Sequence, residues 1–211
     1  FDGGSRFQAE IWNPETNSWR TVAGMQVPRN YHSVSILMMD GRVFSGGGGL
    51  CGGCSVNHED AEIYSPPYLF DANGNLADRP EISAPPTAQY NQTFQVQSDD
   101  TIEAFSFIRM SSATHSVNNE QRRVPVSFSR NGNTYSLNMP GANVMPPGYY
   151  MLFAMNQNGV PSMAEAVQVL KGVISVTGVE LNPDTIELSE GRITSLTATI
   201  SPSSASDQTV S

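Results

Sequence analysis

"AEIWNPETNSWRTVAGMQVPRNYHSVSILMMDGRVFSGGGG", residues 9–49, sets the fold class of this chain. A short apolar run reverses at Asn13-Pro14 ahead of Trp19, and small residues lead up to Arg29. A second run continues through Leu37, turns at Asp40-Gly41 and ends in four consecutive glycines, Gly46 to Gly49. Asp-Gly between two apolar runs is the strongest short hairpin signal, because a two-residue reversal needs positive φ. The glycines let backbones crowd where a Cβ would clash. Composition points the same way. Of 211 residues 38% are hydrophobic and 15% charged, with 18 Gly and 14 Pro, the profile of an all-β, turn-rich chain.

The order of these parts is that of a kelch repeat, and a partial second copy supports it: "DAEIYSPPYL" from Asp60 matches "QAEIWNPETN" from Gln8. The spacing is close to the roughly 50 residues of one propeller blade. A ring needs at least about four blades to close, so residues 1–69 are expected to be the C-terminal part of a propeller whose remaining blades lie outside this sequence. The opening "FDGGSRFQAEIW" reads as the middle of a β-repeat, with no basic and apolar leader.

After "DANGNLADRPEI" the texture changes to strands of six to eight residues at short intervals: "TFQVQS", "IEAFSFIRM", "RRVPVSFSR", "TYSLNMP", "GYYMLFAMN" and "AEAVQVL". This spacing predicts an immunoglobulin-like β-sandwich over 70–171. A third segment, 172–211, begins near Val173. There "VTGVELNPDTIELSEGRITSLTATISPSSASDQTV" resembles the first strands of a bacterial immunoglobulin-like repeat, with too few strands to cover a core.

The formal charge is −9 and the 11 basic residues are scattered singly, which argues against a nucleic-acid partner and against an anionic membrane surface. The most apolar run, Tyr149 to Met155, is strand-sized, so no membrane insertion is expected.

Three histidines are available for chemistry. His32 follows Tyr31, His115 sits in "SSATHSVNNEQRR" just after a strand, and His58 lies in the polar "VNHEDAE". Neighbouring strand residues point to opposite faces, so Tyr31 and His32 can serve one site only where the backbone leaves regular strand geometry. A bend after Pro28 would allow that. Two imidazoles and a phenolate suit Cu(II) in tetragonal geometry, whereas zinc more often recruits thiolate or carboxylate. Cys51 and Cys54 form a CxxC without the second pair a zinc site needs, and glycines and strands surround them rather than the helix of a redox pair. Arg122 and Arg123 read as solvated flanks of a strand. Glu59, Asp60 and Glu62 lack the glycine-broken spacing of a calcium loop. Tyr149 and Tyr150 read as edge and core residues of the sandwich.

Three separated stretches occur here in a family's order: "RNYHSVSILMMDGRVFSGGGGLCGGCSVNHEDAEIYSPPYLFDANGNLADRPEI", "SFIRMSSATHSVNNEQRRVPV" and "PPGYYMLFAMNQNGVPS". Together they resemble the C-terminal part of the galactose oxidase and glyoxal oxidase family of copper-radical oxidases, over about residues 1–170. The resemblance implies that Tyr31 is the axial tyrosine ligand and general base. It implies that His32 and His115 are the histidine ligands to copper (Cu2+), that His58 is not a ligand, and that Cys51 and Cys54 form a small disulfide. That bond would place the chain in an oxidising setting, secreted or at a cell surface.

The family's second tyrosine, joined to a cysteine as the radical cofactor, has no counterpart in this chain. The implied reaction is oxidation of a small alcohol, aldehyde or carbohydrate by O2 with release of H2O2, by a longer protein of which this chain alone is inactive. An alternative from another class is a non-catalytic kelch and immunoglobulin-like surface module that binds glycans or proteins. Retention of Tyr31, His32 and His115 together favours the oxidase.

Overall fold

A computed structural model describes all residues except 1, 51, 173–175, 204, 210 and 211. The chain is all-β and separates into two compact units, 1–170 and 171–211. Among the described residues no helix is long and apolar enough to cross a membrane.

In the first unit the chain starts with an antiparallel hairpin of β1 (Ala9–Asn13) and β2 (Ser18–Val22). Trp12 and Trp19 face each other across it with ring centroids 6.3 Å apart, and both stay exposed. Next comes a three-stranded antiparallel sheet of β3 (Ser33–Leu37), β4 (Val43–Gly47) and β5 (Ala61–Tyr64). The predicted Asp40-Gly41 reversal joins β3 to β4, with Gly41 at φ 79°. The second copy of the sequence repeat supplies β5, which closes this sheet beside β4.

The sandwich strands, interrupted by the separate β9–β10 hairpin, follow: β6 (Thr87–Gln89), β7 (Thr93–Gln97), β8 (Ala104–Arg109), β9 (Ser112–Thr114), β10 (Val117–Asn119), β11 (Arg123–Val126), β12 (Phe128–Asn131), β13 (Thr134–Asn138), β14 (Gly148–Met155) and β15 (Glu165–Leu170). One sheet has the order β11-β8-β14-β15-β6, with β15 and β6 parallel, and the other has the order β12-β13-β7. The expected strand "RRVPVSFSR" is divided between the two sheets. β11 is an edge strand, where Pro125 costs no ladder hydrogen bond, and the chain crosses to the other sheet at Ser127.

The core follows from alternation. β7 buries Phe94 and Val96, and β13 buries Leu137 and Tyr135 opposite them. From the larger sheet Phe105, Phe107, Tyr150, Leu152, Val167 and Val169 face the same interior. Each such side chain contributes about 1.5–3 kcal/mol when fully buried. The Tyr135 hydroxyl donates to the Asp100 carbonyl at 2.8 Å and accepts from Ile102 N–H at 3.1 Å, so its burial leaves no polar atom unpaired.

β14 is buried on both faces, because Met151 and Phe153 point away from this core and are still at most 5% exposed. Residues of β3, β4 and the turn between them lie against that outer face: Ile36, Leu37, Met39 and Phe44 line one groove together with Ile108 and Met151. Polar anchors fix the arrangement. Ala164 N–H donates to Met39 O at 2.8 Å, and Arg79 donates to the carbonyls of Asp40, Pro161 and Ser162.

The second unit pairs β16 (Gly178–Asn182) with β17 (Thr197–Ser201). Val179 and Leu181 on β16 are exposed. The expected start of this segment at Val173 lies outside the described residues.

Candidate metal centre

Tyr31, His32 and His115 come together although 83 residues separate the last two. The ring centroids are 4.1 Å apart for Tyr31 and His32, 4.5 Å for His32 and His115, and 5.2 Å for Tyr31 and His115. The backbone departs from strand geometry at His32 itself, where φ is 68°, one residue before β3 begins. That left-handed residue lets neighbours in sequence share a side, which an extended pair cannot do.

His115 is carried differently. It lies in the two-residue loop of the β9–β10 hairpin, where His115 and Ser116 have φ of 50° and 64°. Positive φ at both central positions is the geometry of a type I′ turn, usually served by Asn-Gly. A left-handed non-glycine residue costs roughly 1–2 kcal/mol, and the three nearest this cluster are His32, His115 and Ser116.

The glycine run holds the first histidine. His32 Nδ1 lies 3.1 Å from Gly49 O, and because a carbonyl only accepts, Nδ1 carries the proton. The lone pair of His32 is then on Nε2, the arrangement of a metal-binding imidazole oriented through its other nitrogen. Gly49 also donates its N–H to Tyr31 O at 2.6 Å. It has to be glycine: φ is 157°, and a Cβ would stand 2.5 Å from Asn57 Oδ1. The Nδ1 of His115 is likewise engaged, 2.5 Å from Thr114 Oγ1. All three rings are solvent-exposed in this chain, Tyr31 to 46%.

Support comes from residues that sequence reading passed over. Arg29, with its side chain 4% exposed, donates to Gly47 O at 3.0 Å, to Asp60 Oδ1 at 2.9 Å and to Glu62 Oε2 at 3.2 Å. Glu62 also accepts from the N–H of Gln26, at 2.7 Å. Asp60 and Glu62, weighed in the sequence as cation ligands, therefore hold the arginine that leads into the Tyr31–His32 turn. The sequence places Arg29 two residues ahead of Tyr31, but its burial and its carboxylate partners emerge only in the fold.

His58 is not part of the ring cluster: its Nε2 lies 3.1 Å from Asp2 Oδ2, and its N–H donates to Gly48 O. The expected Cys51–Cys54 pairing involves Cys51, which lies outside the described residues. Among the described residues no group of three or more His, Cys, Asp and Glu side chains is placed to hold a metal. The convergent set here is two imidazoles and a phenol, which offers two nitrogen donors and one oxygen donor and fits Cu(II). A groove of about 790 Å3 between β3 and β8 is not lined by these rings.

A family model, the galactose oxidase-like early set domain, matches residues 79–169. Galactose oxidase of Gibberella zeae is 46% identical over 167 residues, covering 77% of this chain and 25% of that protein. Aldehyde oxidase GLOX1 of Arabidopsis thaliana is 31% identical over 179 residues, covering 74% of this chain and 29% of that one. Among solved structures, a fungal alcohol oxidase of the AA5 family in complex with copper superposes with a TM-score of 0.75 at 40% identity, over 80% of this chain and 37% of that one. The chain thus spans about a quarter of the length of the galactose oxidase it matches.

Proposed function

We propose, for a chain that carries a galactose oxidase-like early set domain and is homologous to galactose oxidase, that it is the C-terminal portion of a secreted copper-radical oxidase. That enzyme would oxidise a primary alcohol to an aldehyde, or an aldehyde to an acid, while O2 is reduced to H2O2. The observation that carries this reading is the meeting of Tyr31, His32 and His115 from two distant parts of the chain, with the Nδ1 of each imidazole hydrogen-bonded.

In this reading His32 and His115 hold copper through Nε2 and Tyr31 through its phenol oxygen. Copper, when bound, supplies a Lewis-acidic, redox-active centre that lowers the pKa of a hydroxyl placed on it. The Tyr31 ring stands beside both imidazoles, and its phenol oxygen would take the substrate hydroxyl proton as general base. Gly49 fixes the tautomer of His32, and the β9–β10 turn presents His115. Hydrogen abstraction falls to a radical tyrosine outside this chain, which therefore releases no H2O2 by itself.

Residues 1–69 are read here as the last part of a kelch propeller, 70–171 as the sandwich that delivers His115, and 172–211 as the start of a further immunoglobulin-like domain. Cys51 and Cys54 are read as a disulfide made outside the cytosol. The substrates that the relatives' names suggest, a galactose-type alcohol or an aldehyde, belong to this proposal.

Isothermal titration of the chain with Cu(II) tests it. The reading requires one site per chain that is lost in His32→Ala and in His115→Ala. Equal binding in wild type and both variants would sink the copper assignment and leave a non-catalytic surface module as the better account.

A further inference from the structure

We infer that Ser116 is a positioning residue which joins the two halves of this centre, an inference that rests on the copper reading above. Its N–H donates to Ser33 O at 2.8 Å, and its hydroxyl donates to Asn30 O at 3.0 Å. Those carbonyls belong to the residues on either side of Tyr31–His32. One side chain and one amide next to His115 thus grip both ends of the turn that carries the other two rings. Ser33 Oγ, on a residue 6% exposed, lies 3.1 Å from Ser116 Oγ, and Asn118 Nδ2 donates to Ser35 O at 3.2 Å further along β3.

These bonds matter because, among the described residues, the hairpin has few other ties, chiefly the Arg109–Glu120 pair at 3.2 Å just beyond β10. β9 and β10 are three residues each, pair only with one another and bury no side chain fully. An isolated two-stranded hairpin is marginal in water. Its loop is also left-handed at both His115 and Ser116, a conformation that persists only where surroundings over-determine it. The hydrogen bonds from Ser116 and Asn118 to β3 and to Asn30 are the polar contacts that do so. Serine suits the position: its hydroxyl reaches back toward the Asn30 carbonyl, and a β-branched residue would resist φ of 64°.

The test reads the metal-free chain first, so that it does not depend on copper. In wild type the imidazole protons of His32 and His115 should give a nuclear Overhauser contact, since their centroids are 4.5 Å apart. In Ser116→Ala that contact should vanish while the thermal midpoint of the chain stays unchanged. Persistence of the contact in S116A overturns the inference, whatever copper does.

With Cu(II), S116A should bind about tenfold more weakly, the scale on which outer-shell partners act. Its EPR spectrum should show coupling to one imidazole nitrogen in place of two. Asn118→Ala, which removes one bond outside the ligand turn, should weaken binding less than S116A does; a larger loss in N118A would also count against Ser116 as the joining residue. Failure of the wild-type chain to bind copper would remove the copper reading but leave the contact experiment decisive for Ser116.

Discussion

The sandwich and the ring cluster are held together by opposite means. Phe94, Phe105, Phe107, Tyr135, Tyr150 and Leu152 bury almost everything they have in one interior, with aromatic pairs such as Phe105–Tyr135 at 5.4 Å and Phe94–Phe107 at 6.1 Å. Around Tyr31, His32 and His115 there is no comparable core. Exposed rings sit on two left-handed turns, fixed by Arg29, Gly49 and Ser116 through hydrogen bonds to backbone carbonyls and carboxylates. The first region contributes stability, and the second contributes a geometry that costs stability. A fold of this kind can present distorted ligand positions because the distortion lies outside the part that determines whether the chain folds.

The contrast predicts a graded series. Phe107→Ala should destabilise the chain by about 3–5 kcal/mol in denaturant unfolding, the range for a fully buried phenylalanine. A loss below about 1 kcal/mol would show that the sandwich core does not govern stability. Arg29→Ala removes charge-assisted bonds to Asp60 and Glu62 and should cost about 2 kcal/mol. Its signature is faster amide hydrogen exchange at Gly47 and Ser33 than in β8 or β14. Uniform acceleration in both regions would mean they are not separately held.

His115→Gly should move the other way and stabilise the chain by about 1 kcal/mol, because glycine accepts the left-handed turn without strain. The same variant should lose Cu(II) binding, and no gain in stability would remove the claim that the site stores strain.

The smallest effect concerns Asp40. The hydrogen bond from Arg42 holds its carboxyl below the ordinary carboxylate value, against the opposing effect of burial. A depressed carboxyl contributes stability that is present above about pH 4 and is lost as pH falls through its lowered value. Asp40→Asn should therefore flatten the acid limb of the stability profile by a few tenths of a kcal/mol, as suits a partly exposed pair.

Legibility in the sequence divides along the same line. β7, β8, β13, β14 and β15 were readable because alternation and turn residues are local signals, and Asp40-Gly41 announced its hairpin. β6 is three residues long and pairs in parallel with β15, some 80 positions on, which leaves no local trace. The β9–β10 hairpin leaves little local trace, since "SATHSVNN" has neither Asn-Gly nor an apolar face and is pinned by bonds to β3. Tyr31 and His32 were recognisable as requiring a bend, but its position at His32 belongs to the glycine run that receives it. Asp60 and Glu62 looked like a possible cation group because the buried guanidinium they pair with is about 30 residues away in sequence. The ligand set emerged from family resemblance, since three residues distant in sequence carry no mutual spacing signal.

The most direct test of the central claim, that two distant parts of the chain deliver one metal centre, is EPR of the copper-loaded chain. The account predicts a tetragonal Cu(II) spectrum with coupling to two imidazole nitrogens, lost in His115→Ala and in His32→Ala. A spectrum unchanged by either substitution, or one identical to copper free in buffer, would contradict it.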